Sequence, residues 1–264
     1  MSFIAVRWVN ILIYNENKML NIVIPMAWAG SRFANAWYTF PKPLIEVKGK
    51  PMIQIVVENL RPTSDIEYVF TFIVQREHRE RYALDYLLNL IAPGCNIVAI
   101  DWITKGAVCT VLLASDYINT DDELLLANSD QYIIDGIQDY IDFSHKNDFD
   151  GTIMSFTATH PKWSFAKLDE NWNVEEVAEK KPISNIATVG LYYFKNGKEF
   201  VQAAQKMIEK NIQTNWEFYV CPVYNEYILE DKIIKTYDIG KRMWWIWTPE
   251  DLDRFLESEY SKNI

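Results

Sequence analysis

Apolar residues in this 264-residue chain fall into two kinds of stretch: brief unbroken runs, and longer segments in which they recur every three or four positions. The run at 22–26 is too brief for a helix and unbroken enough for a strand covered on both faces, as in a parallel sheet. Met52, Ile53, Val56, Val57 and Leu60 then share one helical face, with Pro51 where a first helical residue would stand. The aromatic and β-branched run 68–74 predicts a strand, 77–90 an amphipathic helix through Ala83, Leu84, Leu87 and Leu88, and 96–102 another strand. A helix of small and apolar residues opens after Gly106, and 123–127 predicts a fourth strand. Beyond it Ile137, Tyr140, Ile141 and Ser144 mark a helix, while 151–159, 164–168, 174–177 and 186–194 read as strands. Residues 198–210 place Phe200, Val201, Ala204, Met207 and Ile208 on one face. Thr248-Pro249-Glu250-Asp251 supplies the cap, the first-turn proline and the carboxylate that start a last helix. No repeat, low-complexity tract or linker divides the pattern, so one domain is expected over 19–264, with 1–18 an extension that the fold does not need.

A domain of this length buries roughly 75% of its unfolded surface, so a sizeable core is expected. Net charge is −10 and the pI about 4.9. That balance argues against generic nucleic-acid or anionic-membrane binding, and an anionic substrate must be met by a local basic patch. Cys95, Cys109 and Cys221 fit neither a disulfide framework nor a zinc pair and read as core thiols in a reducing cytosol. No run approaches the roughly 18 apolar residues of a membrane span. Arg7 and Asn10 interrupt the opening apolar stretch and no small-residue cleavage site follows, so a signal peptide is not expected. The acidic run 121–123 reads as a solvated turn, and His78, His145 and His160 are scattered without ligand spacing.

Candidate chemistry begins behind the first strand. Ala27, Ala29, Gly30 and Ser31 leave backbone N–H groups uncovered in a loop that can cradle phosphate oxygens, and Arg32 adds the forked cation that phosphates favour. Lys42 stands between Pro41 and Pro43, which restrict where its ammonium points. The two cations want an anion between them. Gln75 ends the second strand, where open α/β sheets place ligands, and is either an amide that reads a base edge or a solvated start to the next loop. Gly106, followed by Ala107, lets a flat ring approach the backbone or simply opens a helix. Asp130 follows the fourth strand and is either a hard oxygen ligand for Mg²⁺ bridged to substrate phosphates or a turn former.

The whole string NIVIPMAWAGSRFANAWYTFPKPLIEVKGKPMIQ, residues 21–54, resembles the signature of the sugar-1-phosphate nucleotidyltransferases, or nucleotide-sugar pyrophosphorylases. No Gly-Lys-Ser/Thr closes it as a Walker loop would. Glu179-Lys180-Lys181-Pro182 resembles the family's Glu-Lys-Pro motif, and Thr188-Val189-Gly190 its sugar-side glycine strand. The resemblance implies an α/β fold: three layers around a Rossmann-like, mixed, mostly parallel sheet, as in glycosyltransferase A-type enzymes. It implies transfer of NMP from a nucleoside triphosphate to a sugar 1-phosphate with release of pyrophosphate, giving a nucleotide sugar for surface polysaccharide synthesis in the cytoplasm. Under it Arg32 steadies the departing pyrophosphate and Lys42 holds the α-phosphate, both as catalytic residues. Ala27, Ala29, Gly30, Ser31, Gln75, Gly106 and Ala107 bind nucleotide; Glu179, Lys180, Gly190 and Glu217 bind sugar phosphate; Asp130 holds Mg²⁺. Glu179 and Lys180 also fit a plain surface charge cluster. The implied partners are a nucleoside triphosphate and a sugar 1-phosphate or phospho-alcohol, not nucleic acid or membrane, with a homo-oligomer left open.

Trp28 stands where that family's loop carries glycine, and the mismatch recurs at Trp37, Trp172, Trp216, Trp245 and Trp247. Asn171-Trp172-Asn173 is a turn in which Asn-Gly would be natural, and an indole at 28 would project from a backbone meant to hug phosphates. Together these positions predict a source that reads UGA as glycine, whereas Trp163 and Trp244 match aromatic positions. The family's second metal aspartate would align near Trp245, leaving Mg²⁺ to Asp130, phosphates and water, or to Asp238 as a substitute. Two other readings are a cytidylyltransferase acting on phosphocholine or another phospho-alcohol, and a nucleotide-sugar binding protein without turnover. Asn128-Ser129-Asp130 offers only half of the Asp-x-Asp motif that a glycosyltransferase wants.

Overall fold

The apolar run behind the candidate loop forms a strand. In the computed structural model, which describes residues 18–27, 33 and 36–264, β1 (Leu20–Pro25) is buried along its whole length. A small hairpin of β2 (Glu46–Val47) and β3 (Lys50–Pro51) leads into α1 (Met52–Asn59), with Pro51 at the N-cap rather than in the first turn. Then come β4 (Tyr68–Gln75), α2 (Arg76–Arg81), α3 (Leu84–Ile91) and β5 (Asn96–Ile100). The single helix expected over 77–90 is therefore two, because Ala83 turns left-handed at φ 49 and breaks the ladder. α4 (Ala107–Leu112) and α5 (Ser115–Ile118) lead to β6 (Glu123–Leu126) and the short β7 (Gln131–Ile133). α6 (Gln138–Lys146) precedes four strands, β8 (Gly151–Thr157), β9 (Ser164–Leu168), β10 (Val174–Glu179) and β11 (Ile186–Phe194). The described chain closes with α7 (Gly197–Glu209), α8 (Val223–Ile228), β12 (Ile234–Asp238), β13 (Met243–Trp245) and α9 (Pro249–Glu257). The last helix starts as its sequence predicts: the Thr248 side chain accepts from the Asp251 amide at 3.2 Å, and Asp251 accepts from the Thr248 amide at 3.1 Å.

The main sheet runs β10-β9-β11-β6-β1-β4-β5, with β8 paired to β11 and β12 to β8. β1 pairs in parallel with both β4 and β6, β4 with β5, and β12 with β8. β11 is antiparallel to β6, β8 and β9, and β10 is antiparallel to β9. Thus β1, β4, β5, β6, β8, β9 and β12 point one way and only β10 and β11 the other, a mixed, mostly parallel sheet. Its two faces are covered by different helices. Ile22 and Ile24 pack with Val56 of α1, Leu88 of α3 and Phe255 of α9; Val23 packs with Val111 of α4, Phe200 of α7 and Tyr224 of α8. Alternation along buried strands thus makes the three layers.

One sequence expectation fails at the foot of this sheet. Glu123 is not part of a solvated turn but is buried, accepting from the Tyr193 hydroxyl at 2.8 Å and from His145 Nε2 at 2.8 Å. A strand start carried the carboxylate inward, and two donors from α6 and β11 met it there.

Candidate functional site

β1 and β6 are parallel neighbours, and the chain beyond their C-terminal ends opens into a cavity of about 710 Å³. Open α/β sheets hold ligands in this crevice. Lys42, Ala107, Asp130, Glu179, Lys180, Gly190 and Glu217, seven positions singled out in the sequence, line it together. Trp28, Ala29, Gly30, Ser31 and Arg32 lie outside the described residues.

Lys42 occupies a 3₁₀ turn (Lys42–Leu44) between its two prolines. Its Nζ lies 2.5 Å from Asp130 Oδ2 and 5.6 Å from the centroid of the Phe33 ring. The side chains are 15% and 18% exposed, so the pair is shielded yet reachable from the cavity. The backbone carbonyl of Asp130 accepts from Ile246 at 2.8 Å, which fixes the loop that carries the carboxylate. Among the described residues, Asp130 Oδ1 is buried with no hydrogen-bond partner. An orphaned hard oxygen beside a phosphate-sized cavity fits Mg²⁺, which takes one or two carboxylates and fills its other positions from phosphates and water. Among the described residues no group of three His, Cys, Asp or Glu side chains converges for a metal. Asp238 does not serve as a second ligand: it is exposed at the end of β12, away from the cavity lining, and its Oδ1 accepts from the Gly240 amide at 2.9 Å.

The opposite wall carries the acidic and basic groups of β10 and of the segment before α8. Glu179 accepts from the Ser164 hydroxyl, and its carboxyl is pushed above the usual range chiefly by burial, with Glu217 adding to the effect. Lys180 donates to the Tyr219 hydroxyl and stacks over that ring at 4.3 Å, and Tyr219 in turn donates to Glu217. Glu179 and Lys180 are thus a built arrangement rather than a solvated surface cluster. Tyr219, which the sequence reading passed over, links the two carriers of charge. Lys162, also missed, lies over the rings of Trp163, Trp245 and Trp247 at 4.6, 5.0 and 5.4 Å.

The two glycines have internal reasons. Gly106 sits at φ 111, and a Cβ there would meet the Phe218 backbone N at 2.5 Å and O at 2.6 Å. The space on the Cβ side of Gly106 is therefore taken by the protein itself. The contact is stitched by Phe218 N–H to the Lys105 carbonyl at 2.8 Å and Val108 N–H to the Phe218 carbonyl at 3.1 Å, which joins the Ala107 side of the cavity to the Glu217 side. Gly190, at φ 101, lies where β11 slips register against β8, and the Asn128 amide occupies the place of its missing Cβ. Gln75 does stand at the end of β4, yet it does not line the cavity: its amide donates to the Ala27 carbonyl at 2.7 Å and ties down the start of the candidate loop.

A family model described as nucleotidyl transferase matches residues 26–241. Over 173 residues the chain is 27% identical to the low-salt glycan biosynthesis nucleotidyltransferase Agl11 of Haloferax volcanii, covering 62% of this chain and 46% of that protein. It is 25% identical over 177 residues to the bifunctional protein GlmU of Methanocaldococcus jannaschii, covering 66% of this chain and 40% of the relative. The chain therefore spans less than half the length of these curated relatives. A solved nucleoside-diphosphate-sugar pyrophosphorylase from Vibrio cholerae RC9 superposes with a TM-score of 0.78 at 25% identity, covering 90% of this chain and 100% of that one.

Proposed function

Given that the chain belongs to the nucleotidyl transferase family, we propose that it transfers a nucleotidyl group from a nucleoside triphosphate to a sugar 1-phosphate, releasing pyrophosphate. The observation that carries this reading is the meeting of Lys42 and Asp130 in the same cavity as Glu179, Lys180 and Glu217. One wall offers a cation and a hard anion to a triphosphate; the other offers carboxylates to hydroxyls and an ammonium to a phosphate.

In the reaction a phosphate oxygen of the acceptor attacks the α-phosphorus in line, and the bond to pyrophosphate breaks as the new P–O bond forms. Charge spreads over the phosphate oxygens, so the protein contributes mainly position and electrostatics. Lys42 holds the α-phosphate, its direction narrowed by the flanking prolines, while Arg32 steadies the departing pyrophosphate. Mg²⁺ bound at Asp130 would add charge neutralisation between the reacting phosphates. Glu217 and Glu179 accept hydrogen bonds from sugar hydroxyls, and Lys180, steadied by Tyr219, meets the sugar phosphate.

The test is a matrix of the four common nucleoside triphosphates against a set of sugar 1-phosphates and phosphocholine, followed by pyrophosphate release. Release with a sugar 1-phosphate is expected. Release with CTP and phosphocholine alone would reassign the acceptor to phospho-alcohols, and binding without release in any combination would overturn the enzymatic reading.

A further inference from the structure

Three tryptophans hold a backbone conformation that their side chains oppose. Trp37 (φ 66), Trp172 (φ 62) and Trp216 (φ 66) all lie in the left-handed region, where a Cβ crowds the following carbonyl oxygen. Their indoles are 94%, 73% and 87% exposed, so no packing offsets the strain. Exposure alone is not the pattern, since Trp102 is also exposed but is not left-handed.

Each of the three fills the one position of a recurrent motif that selects glycine. The Tyr38 amide reaches back to the Phe33 carbonyl at 3.1 Å, the six-to-one bond of a Schellman closure, and the rings of Phe33 and Tyr38 meet edge-on at 5.2 Å, as that motif's apolar contact requires. Trp37 is the residue just before that amide. Between β9 and β10, the Trp172 amide donates to the Asp169 carbonyl at 3.1 Å and the Asp169 amide to the Asn173 carbonyl at 2.8 Å. That is a three-residue hairpin loop whose third residue, Trp172, is the left-handed one. Thr214 and Glu217 exchange backbone bonds at 3.0 and 3.1 Å around Asn215 (φ 52) and Trp216, a two-residue turn with both central residues at positive φ, for which Asn-Gly is the preferred pair.

Asn and Asp tolerate this region through local hydrogen bonds, and Asp135, Asp148, Asn211, Asn215 and Asp231 use it here; an indole has no such means. Composition points the same way. The chain has 9 glycines and 10 tryptophans in 264 residues, whereas ordinary usage of roughly 7% would give about twice as many glycines.

We propose that positions 37, 172 and 216 are glycine in the protein made by its own cells, and that one codon, UGA, read there as glycine and written here as tryptophan, accounts for all three. UGA is one base from the tryptophan codon UGG and one base from the glycine codon GGA, so a single change of decoding exchanges the two residues. Trp163, 5% exposed in the core, and Trp244, packed on Phe255 at 5.8 Å, are ordinary tryptophans. The same codon at 245 and 247 would reshape the site, because those two indoles line the cavity and cover Lys162. With glycine at both, the cavity widens and the Lys162 ammonium keeps only the Trp163 ring against it, at 4.6 Å.

The experiment is sequencing of the gene together with peptide mass analysis of the protein purified from the cells that carry it. The expected result is UGA at 37, 172 and 216, UGG at 163 and 244, and peptides that carry glycine at the first three positions. UGG at those three positions, or peptides that keep tryptophan at any one of them, would overturn the proposal.

Discussion

Lys42 and Asp130 come from loops 88 positions apart and meet at 2.5 Å. Asp130 Oδ2 accepts a hydrogen bond from one of the three N–H groups of the Lys42 ammonium, and among the described residues the other carboxylate oxygen, Oδ1, has no partner. Under the proposed function, a triphosphate entering the cavity would exchange anions around Lys42, so that the lysine would contribute little to affinity and more to the step in which charge builds on the α-phosphate oxygens. Lys42→Ala should therefore lower kcat by roughly a hundredfold or more, the usual loss for one pre-positioned donor, while the nucleotide Kd changes by far less. Steady-state kinetics together with nucleotide titration measures both quantities. A variant that loses affinity while kcat is unchanged would instead make Lys42 a binding residue only.

At the scale of elements, what the sequence could show depended on whether a local pattern decided the structure. β1, β6, β11 and α9 were legible because burial on both faces, or a cap followed by Pro and Asp, leaves few alternatives. β7, β12 and β13 were not: the first and last are three residues each, and the pattern of β12, Ile-Lys-Thr-Tyr-Asp, shows only one deeply buried position. The break at Ala83 was equally hidden, since alanine is the best helix former and only tertiary packing turns it left-handed. In the site, Lys42, Asp130, Glu179, Lys180, Gly190 and Glu217 were legible from motif residues with special chemistry. Tyr219 was not, because one tyrosine among 15 carries no signal until its hydroxyl is seen between Lys180 and Glu217. The hairpin turns make a second prediction. Trp172→Gly and Trp216→Gly each remove a left-handed strain of about 1–2 kcal/mol and add unfolded-chain freedom of roughly 0.5–1 kcal/mol, a net gain of up to about 1.5 kcal/mol per turn. Urea unfolding should show the midpoint rising with an unchanged slope for both. Trp163→Gly, made in the core beside Phe156 at 5.0 Å, should fall by about 3 kcal/mol or more. If the turn variants fall as well, those indoles hold contacts that matter to the fold.

For the molecule as a whole, net charge −10 is not answered by a purely basic site: the cavity that would receive two phosphorylated substrates is lined by Lys42, Lys162 and Lys180 together with Asp130, Glu179, Glu217 and Asp251, and some acidic groups elsewhere are taken up in structure. The clearest case is Glu123, which ties the three parts of the fold together. It begins β6 at the sheet centre, receives the Tyr193 hydroxyl from β11, and pairs with His145 of α6 on the outer layer, each at 2.8 Å. The hydrogen bond that His145 donates to Glu123 raises the His145 pKa above its ordinary 6.5, against partial burial, with further help from the charges of Glu123 and Asp142. A raised imidazole pKa means that the folded protein binds more protons than the unfolded chain above pH 6.5, so stability must fall as pH climbs through the folded value. Below 6.5 both states are protonated and the pair's contribution is fully present. His145→Gln keeps a donor for Glu123 but cannot titrate. Thermal unfolding of the two proteins across this window should show the native chain losing Tm with rising pH relative to the variant, and the difference levelling off once the imidazole is neutral in both states. Parallel Tm profiles would mean that the His145 pKa is the same in the folded and unfolded chain and that its pairing with Glu123 adds no proton-linked stability to the union of β6, β11 and α6.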